Sequence, residues 1–401
     1  MNILILSPKA PYPPIDGGAI ATLTLARNLR KAGNNITFLS LNTSKHFTDI
    51  NNIPEEIITE LDLQLINIDT KINPAKALLN LLFSKKPYNI ERFLINGFAK
   101  KLIEVLGSKD FGIIQLEGLS MLPYLKIIRQ NTCAKVVLRA HNVEHIIWKR
   151  NYSFERNIIR KLYYRLLYKR ILRLEKSMLN KLDACIPITQ HDKEIFENLG
   201  IKVPMHVACA GIDNEKINTG QKQINYSSLF FIGALDWIPN QEGLKWFIDN
   251  VWPIVHKRLP NQVFHVGGRN APEWIIKYCN KPGIMFHGEV DSAERFMLTN
   301  GIMAVPLFAG SGMRIKIIEG MALGVSIITS TIGIEGINAK DDKAVLIADT
   351  ADNFIEKICF VLENTDICKK IGQNAILYIK ENYDNLNIAR ELTGFYKSIT
   401  K

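Results

Sequence analysis

A glycine turn, two cations and one carboxylate stand together in Gly310-Ser311-Gly312-Met313-Arg314-Ile315-Lys316-Ile317-Ile318-Glu319. A glycine loop that opens a helix presents free backbone N–H groups and the positive end of the helix dipole, a combination that attracts phosphate. Cations at that end oppose the dipole, so Arg314 and Lys316 read as serving a ligand rather than the helix. Glu319 lies among Ile315, Ile317, Ile318, Met321, Ala322 and Leu323, on a helix apolar almost all round. A carboxylate there needs a partner: either a ligand, or Lys316 at i,i+3 in a pair worth about 0.2–0.5 kcal/mol. Two other places carry similar potential. Asp16-Gly17-Gly18 precedes a helix, where the glycines either hold a phosphate or sugar or make a tight turn. His141, in Arg139-Ala140-His141-Asn142-Val143-Glu144, falls at the carboxyl end of a strand, where ligands bind in open α/β sheets; the alternative is a surface histidine in a polar loop.

The elements around these residues alternate between strand and helix. Apolar runs predict strands at 302–307 and 325–329 with a helix over 313–323 between them, one βαβ unit closed by Gly324. The chain begins the same way: strand 2–7, a proline-rich loop, helix 19–32 ended by Gly33, strand 36–40. The fingerprint G-x-G-x-x-G is absent, so NAD is not indicated. Further strands are expected at 111–117, 135–141, 183–189, 203–210, 228–232, 262–266, 284–287 and 344–347. A helix is expected over 244–256 despite Pro253, and two helices close the chain. Residues 42–100 give little pattern beyond a helix-like apolar piece at 75–83. Residues 150–182 read as one long basic helix whose apolar positions, Ile158, Ile159, Leu162, Leu166, Leu167, Ile171, Leu174 and Met178, face the core. Its basic side fits solvent or an anionic membrane, and no recognition motif for nucleic acid accompanies it.

At 401 residues the chain exceeds one ordinary core and predicts two domains. The boundaries expected are 1–213 together with 385–401, a polar linker at 214–227, and 228–384. Hydrophobic content of 47% and charged content of 22% describe a folded soluble protein. The net charge of +11 favours anionic partners such as nucleotides or acidic lipid surfaces. Six scattered cysteines without a C-x-x-C predict free thiols in a reducing compartment. The apolar start at 1–6 is too short for a signal peptide, and no run reaches the length of a membrane span. The expected location is cytoplasmic, with the inner membrane face as a docking surface.

Taken together the motifs resemble glycosyltransferase family 4, retaining enzymes of the GT-B fold, in the branch that builds bacterial cell-surface polysaccharide. The resemblance rests on the 310–324 segment with 325–328 and Gly333-Ile334-Glu335-Gly336. It rests also on Phe231-Ile-Gly-Ala-Leu-Asp236-Trp237-Ile-Pro239-Asn240, Val266-Gly-Gly-Arg269-Asn270, Arg139-Ala-His141-Asn142-Val-Glu144 and Asp16-Gly17-Gly18. It implies two Rossmann-like α/β domains facing a cleft, the C-terminal helix crossing back to the N-terminal domain. It further implies that Glu319 binds the donor ribose, that Gly310, Ser311, Gly312 and Met313 meet the donor sugar and diphosphate, and that Arg269, Glu289 and Val290 border the donor. His141 would lie near the reacting sugar carbon, Gly17 and Gly18 by the donor phosphate, and Asp16, Asn142 and Glu144 on the acceptor side. The chain departs from the family where Ser311 replaces the first Glu of E-x7-E. It departs again at Ala234 and Gln241, which replace the diphosphate-binding Arg and Lys; Arg314 and Lys316 could supply that charge. No D-x-D occurs, so no metal or other cofactor is expected. The implied reaction transfers a sugar from a nucleotide diphosphate to a glycan or lipid-linked acceptor. The rivals are a nucleotide-sugar epimerase of similar fold and a non-catalytic carbohydrate-binding relative.

Overall fold

The computed structural model describes the whole chain except residues 45–46, 70–78, 82, 85, 218–222 and 310–312. Gly310, Ser311 and Gly312 therefore lie outside the described residues, as do most of the 75–83 piece and the middle of the expected linker.

The strands are β1 (Asn2–Ser7), β2 (Asn35–Thr43), β3 (Leu63–Ile68), β4 (Ile113–Glu117), β5 (Lys135–Ala140), β6 (Ala184–Pro187), β7 (Ser228–Ile232), β8 (Phe264–Gly267), β9 (Ile284–Gly288), β10 (Gly301–Val305), β11 (Ser326–Thr329) and β12 (Leu346–Ile347). They form two six-stranded parallel sheets, β3-β2-β1-β4-β5-β6 and β12-β11-β10-β7-β8-β9. Numbered within its own sheet, the second order is the first read backwards. Both are the doubly wound Rossmann order, with the chain reversing direction between β1 and β4 and again between β7 and β10. Strands covered by helices on both faces must be apolar throughout, and Ile3 to Leu6 and Ile302 to Val305 are fully buried. Two compact units result, Met1–Ala210 with Asn385–Lys401, and Gly211–Asp384.

Six helices bear on the argument: α1 (Gly17–Lys31), α2 (Glu144–Phe154), α3 (Ile158–Met178), α4 (Ile238–Asn250), α5 (Ile315–Leu323) and α6 (Asn385–Thr400). The last helix returns to the first unit. Ile388, Leu392 and Tyr396 of α6 join Leu23 and Leu29 of α1 in one core, and Asn34 donates to Thr393 Oγ1 at 2.8 Å.

Several elements differ from the sequence expectation for identifiable reasons. The basic segment 150–182 is not one helix. Asn157 accepts from the N–H groups of Ile159 and Arg160 and starts α3 afresh, its side chain competing with the helix ladder. Nor do all its apolar positions reach the core: Leu167 and Ile171 are buried, whereas Ile158, Ile159 and Leu162 are 74%, 77% and 62% exposed. Segment 203–210 is not a strand. Pro204 cannot donate to a ladder, and only Met205 bridges Cys185. Pro253 splits the 244–256 helix, taking a place in the first turn of a separate helix, Trp252–Arg258. Three helices close the chain, Ala351–Glu363, Thr365–Asn382 and α6. Met313 and Arg314 precede α5, with Arg314 at its N-cap, while Gly324 ends it at φ 86°, a conformation costly for any residue with a Cβ. The six cysteines are free thiols, of which Cys133 is exposed. Among the described residues no helix is long and apolar enough to cross a membrane.

Candidate functional site

In the first unit the expected residues gather at the carboxyl ends of β1, β4 and β5. The organising group is one that the sequence reading passed over, Glu117 at the end of β4. In the parallel register Glu117 stands opposite Arg139 of β5, so their side chains share a face. Arg139 Nη1 donates to Glu117 Oε2 at 3.3 Å and to Ala21 O at 3.4 Å. Thr22 Oγ1 of α1 donates to the same carboxylate oxygen at 3.2 Å, and His141 Nε2 lies 2.5 Å from it. Gln115, two residues back on the same strand face, donates to Glu117 Oε1, and Tyr396 of α6 donates to Gln115 Oε1 at 2.5 Å. Burial, the largest influence on Glu117, raises its pKa. The charges of Arg139 and His141 and the hydrogen bonds from His141 and Gln115 overcome it and hold the carboxyl at about 2. An ionised carboxylate only accepts, so His141 Nε2 carries the proton and Nδ1 is the nitrogen left for other chemistry.

The neighbouring residues divide between building and binding. Asp16 caps α1, accepting from Ala19 N at 2.9 Å, and pairs with Lys9 at 2.5 Å. It is thus part of the helix start that holds Gly17 and Gly18, of which Gly17 is exposed. Asn142 is partly buried in the turn after His141, and Glu144 opens α2. The Glu144 N–H donates to Glu175 Oε1 at 2.9 Å, and Glu175 Oε2 lies 2.5 Å from His145 Nδ1, with His145 and Glu175 both buried. Burial, and then the charge of Glu175, push the Glu144 carboxyl up to about 7.

In the second unit the site lies where β7 and β10 part. Lys316 is the second residue of α5, the helix that follows β10. Its Nζ reaches back across the sheet to Ile232 O at the end of β7, 3.0 Å away, and to Asn240 Oδ1 at 3.3 Å. Gly233 permits this approach, since a Cβ there would lie 2.8 Å from Asn240 Nδ2 and 3.2 Å from Lys316 Nζ. Asn240 and Gln241 in turn donate to Ala234 O and Leu235 O, tightening the β7–α4 turn. Burial lowers the Lys316 pKa, the charge of Arg314 lowers it further, and it stands at about 7. Arg314 is buried, its guanidinium 5.4 Å from the centre of the Trp237 ring. Both side chains therefore converge on the β7–α4 turn, which holds Ala234, and on the first turn of α4, which holds Gln241.

Glu319, one turn further along α5, is partly buried. Burial raises its pKa, opposed by the charge of Lys216. With Lys316 turned towards β7, no ion pair joins the two among the described residues. Arg269, Glu289 and Val290 follow β8 and β9 on the same edge of the sheet: Leu235 N donates to Arg269 O at 2.8 Å, and Gly268 N donates to Gly288 O at 2.7 Å. Met313 is partly exposed just before α5. Among the described residues no three His, Cys, Asp or Glu side chains converge as metal ligands do. Glu117 had one signal in the sequence: Gln115 and Glu117 are two polar residues on one face of an otherwise apolar strand.

Comparison with known proteins agrees with this architecture. Residues 15–216 match the Glycosyltransferase Family 4 model, and residues 227–364 match Glycosyl transferases group 1. An uncharacterized 44.6 kDa protein of the cps region of Klebsiella pneumoniae is 21% identical, over 96% of this chain and 97% of its own. An uncharacterized glycosyltransferase of Methanocaldococcus jannaschii is 25% identical, over 56% of this chain and 60% of its own. Among solved structures, sucrose-phosphate synthase from Thermosynechococcus elongatus superposes with a TM-score of 0.71 at 13% identity, covering 100% of this chain and 99% of that one. Anabaena HepE in complex with UDP superposes at 0.69, also at 13% identity, covering 99% and 100%. At such identities the structural matches establish the fold, of GT-B type, while the sequence models establish kinship: the chain belongs to the family 4 glycosyltransferases.

Proposed function

We propose that this glycosyltransferase moves a hexose from a nucleotide-diphosphate sugar to a hydroxyl of a glycan or lipid-linked acceptor, with retained anomeric configuration, in capsule or lipopolysaccharide synthesis. The observation that carries the reading is the convergence of Lys316 and Arg314 on the β7–α4 turn, at the point where the second sheet reverses direction. Ligands of doubly wound sheets bind at that point. In this reading the two cations take over the diphosphate from the positions that Ala234 and Gln241 leave uncharged. Glu319 accepts from the ribose hydroxyls, and Arg269, Glu289 and Val290 border the base. The relative HepE, seen with UDP and with UDP-glucose, supports a nucleotide-sugar donor, and the Klebsiella relative supports a capsule context.

Departure of a nucleoside diphosphate concentrates negative charge on its outer phosphate. Arg314, held in advance, and Lys316, whose ammonium the bound diphosphate restores, stabilise that charge without the cost of reorganising solvent. In the first unit His141, oriented by Glu117, would stand by the reacting sugar carbon, with Gly17 and Gly18 near the donor phosphate and Asn142 and Glu144 on the acceptor side. Side chains supply the counter-charge, so no metal is required. The test is incubation with UDP-, GDP- and ADP-sugars in the presence of a chelator, with and without capsule oligosaccharide, followed by NMR. Nucleotide release that depends on acceptor, with product of the donor's anomeric configuration, is expected. An epimerised donor formed without acceptor would overturn the proposal.

A further inference from the structure

The first two turns of α3 expose Ile158, Ile159 and Leu162 at 74%, 77% and 62%, and Tyr163 at 41%. Burying an aliphatic side chain of this size is worth about 1.5–3 kcal/mol, so three left in water on adjoining helix positions represent a large unused driving force. They do not stand alone. Arg170 donates to Leu81 O at 2.8 Å and to Asn80 Oδ1 at 3.1 Å, fixing the neighbouring helical turn beside α3, and Phe83 on that turn is 81% exposed.

The charge pattern identifies what would cover this patch. Seven and eleven residues along a helix return to the same side. Arg165 and Lys169 follow Ile158 and Leu162 by seven, and Arg173 follows Leu162 by eleven; all three are exposed. The outward face of α3 thus changes from aliphatic at its start to cationic over the rest of its length. Its one acidic residue, Glu175, is fully buried and paired with His145, so no exposed carboxylate of α3 opposes an anion. An aliphatic tip followed by a row of cations matches the section of a membrane surface, acyl chains below and acidic headgroups above. Nucleic acid would match the cations and the rings of Phe83 and Tyr163, but it offers nothing to Ile158, Ile159 and Leu162, because single-strand binding relies on aromatic platforms rather than aliphatic ones.

We propose that the start of α3, with Phe83 beside it, is a docking surface for anionic phospholipid, the aliphatic residues inserting between headgroups and Arg165, Lys169 and Arg173 lying on them. The full chain would be floated with vesicles of phosphatidylcholine alone and of phosphatidylcholine mixed with phosphatidylglycerol. Two variants would be compared with the native protein, one combining Ile158→Ser, Ile159→Ser and Leu162→Ser, the other Arg165→Gln, Lys169→Gln and Arg173→Gln. All six positions are exposed, so both variants should keep the native melting temperature. Binding is expected only with phosphatidylglycerol present and to weaken with added salt. Each variant should lose about tenfold or more in partition coefficient. Absence of binding to the anionic vesicles would overturn the proposal, as would native-like binding by the serine variant. Displacement of the anionic vesicles by a single-stranded oligonucleotide that the serine variant binds as tightly as the native protein does would overturn the proposal in favour of a nucleic-acid surface.

Discussion

Glu117→Gln is expected to lower turnover on the order of 10²-fold while leaving the donor KM nearly unchanged, the pattern for loss of a group that orients a catalytic histidine. The reasoning runs from charge to proton. With its carboxyl at about 2, Glu117 accepts and cannot donate, which fixes the proton of His141 on Nε2. A glutamine amide can donate as well as accept, so the imidazole loses its preferred tautomer while keeping its neighbours. A double-mutant cycle separates this from a general effect: the Glu117→Gln, His141→Ala pair should be no slower than His141→Ala alone, because residues acting as a unit are not additive. Multiplying losses would show that Glu117 acts elsewhere. The same substitution leaves Arg139 fully buried without its counter-charge, so a loss of folding stability of roughly 3–5 kcal/mol is expected, as for a broken buried pair, read in denaturant unfolding. The sign with pH is equally definite. The folded carboxyl titrates at about 2 rather than at the ordinary value of 4.5, so its stabilisation is complete above the latter and is lost as pH falls towards the former.

Lys316→Met is expected to weaken nucleotide-sugar binding by on the order of 10²-fold, since hydrogen bonds to charged groups contribute about 1.5–3 kcal/mol each and the diphosphate offers several. The more specific expectation concerns protons. Lys316 titrates at about 7 because burial and the charge of Arg314 disfavour the ammonium. A diphosphate placed beside it restores the ammonium, so binding above that pH must take up a proton, and affinity should fall by up to about tenfold per pH unit as the solution becomes more alkaline. Calorimetry in two buffers of different ionisation enthalpy reads the uptake directly. A nucleotide sugar is the right probe because its diphosphate has no group titrating there. Lys316→Met should abolish the uptake. Its persistence in that variant would assign the proton to another group, Glu144 being the obvious one.

The sequence carries the fold to very different depths in its different parts. The βαβ unit around Glu319 is legible because its first strand is apolar throughout, its second centres on Ile327 and Ile328, and its helix ends at a glycine. That a second α/β half follows the first is legible in the renewed alternation of strand and helix after residue 228, and two Rossmann-like domains are what the resemblance implies. The strand order is not legible, because order is decided by which strands pair, a long-range matter that local pattern does not record. Of the site residues, Lys316 could be singled out by its place beside the glycine loop, but its partner, the carbonyl of Ile232, is 84 residues away. Glu117 was harder still, since four side chains, Thr22, Gln115, Arg139 and His141, meet on its carboxylate and only the polar pair in an apolar strand marks it. The exposed start of α3 misled for the opposite reason. Its spacing is that of a core helix, and periodicity reports that a face is apolar without reporting what covers it.

The central claim, that the β7–β10 end of the second sheet holds a nucleotide-diphosphate sugar with Glu319 on its ribose, is tested most directly by titrating UDP-, GDP- and ADP-sugars into the native protein and into Glu319→Ala by calorimetry. At least one donor should bind the native protein, and Glu319→Ala should bind that donor roughly 10–100-fold more weakly, the loss of a charged acceptor from a pair of hydroxyls. No binding of any donor by the folded native protein, or equal binding by the two proteins, would contradict the account.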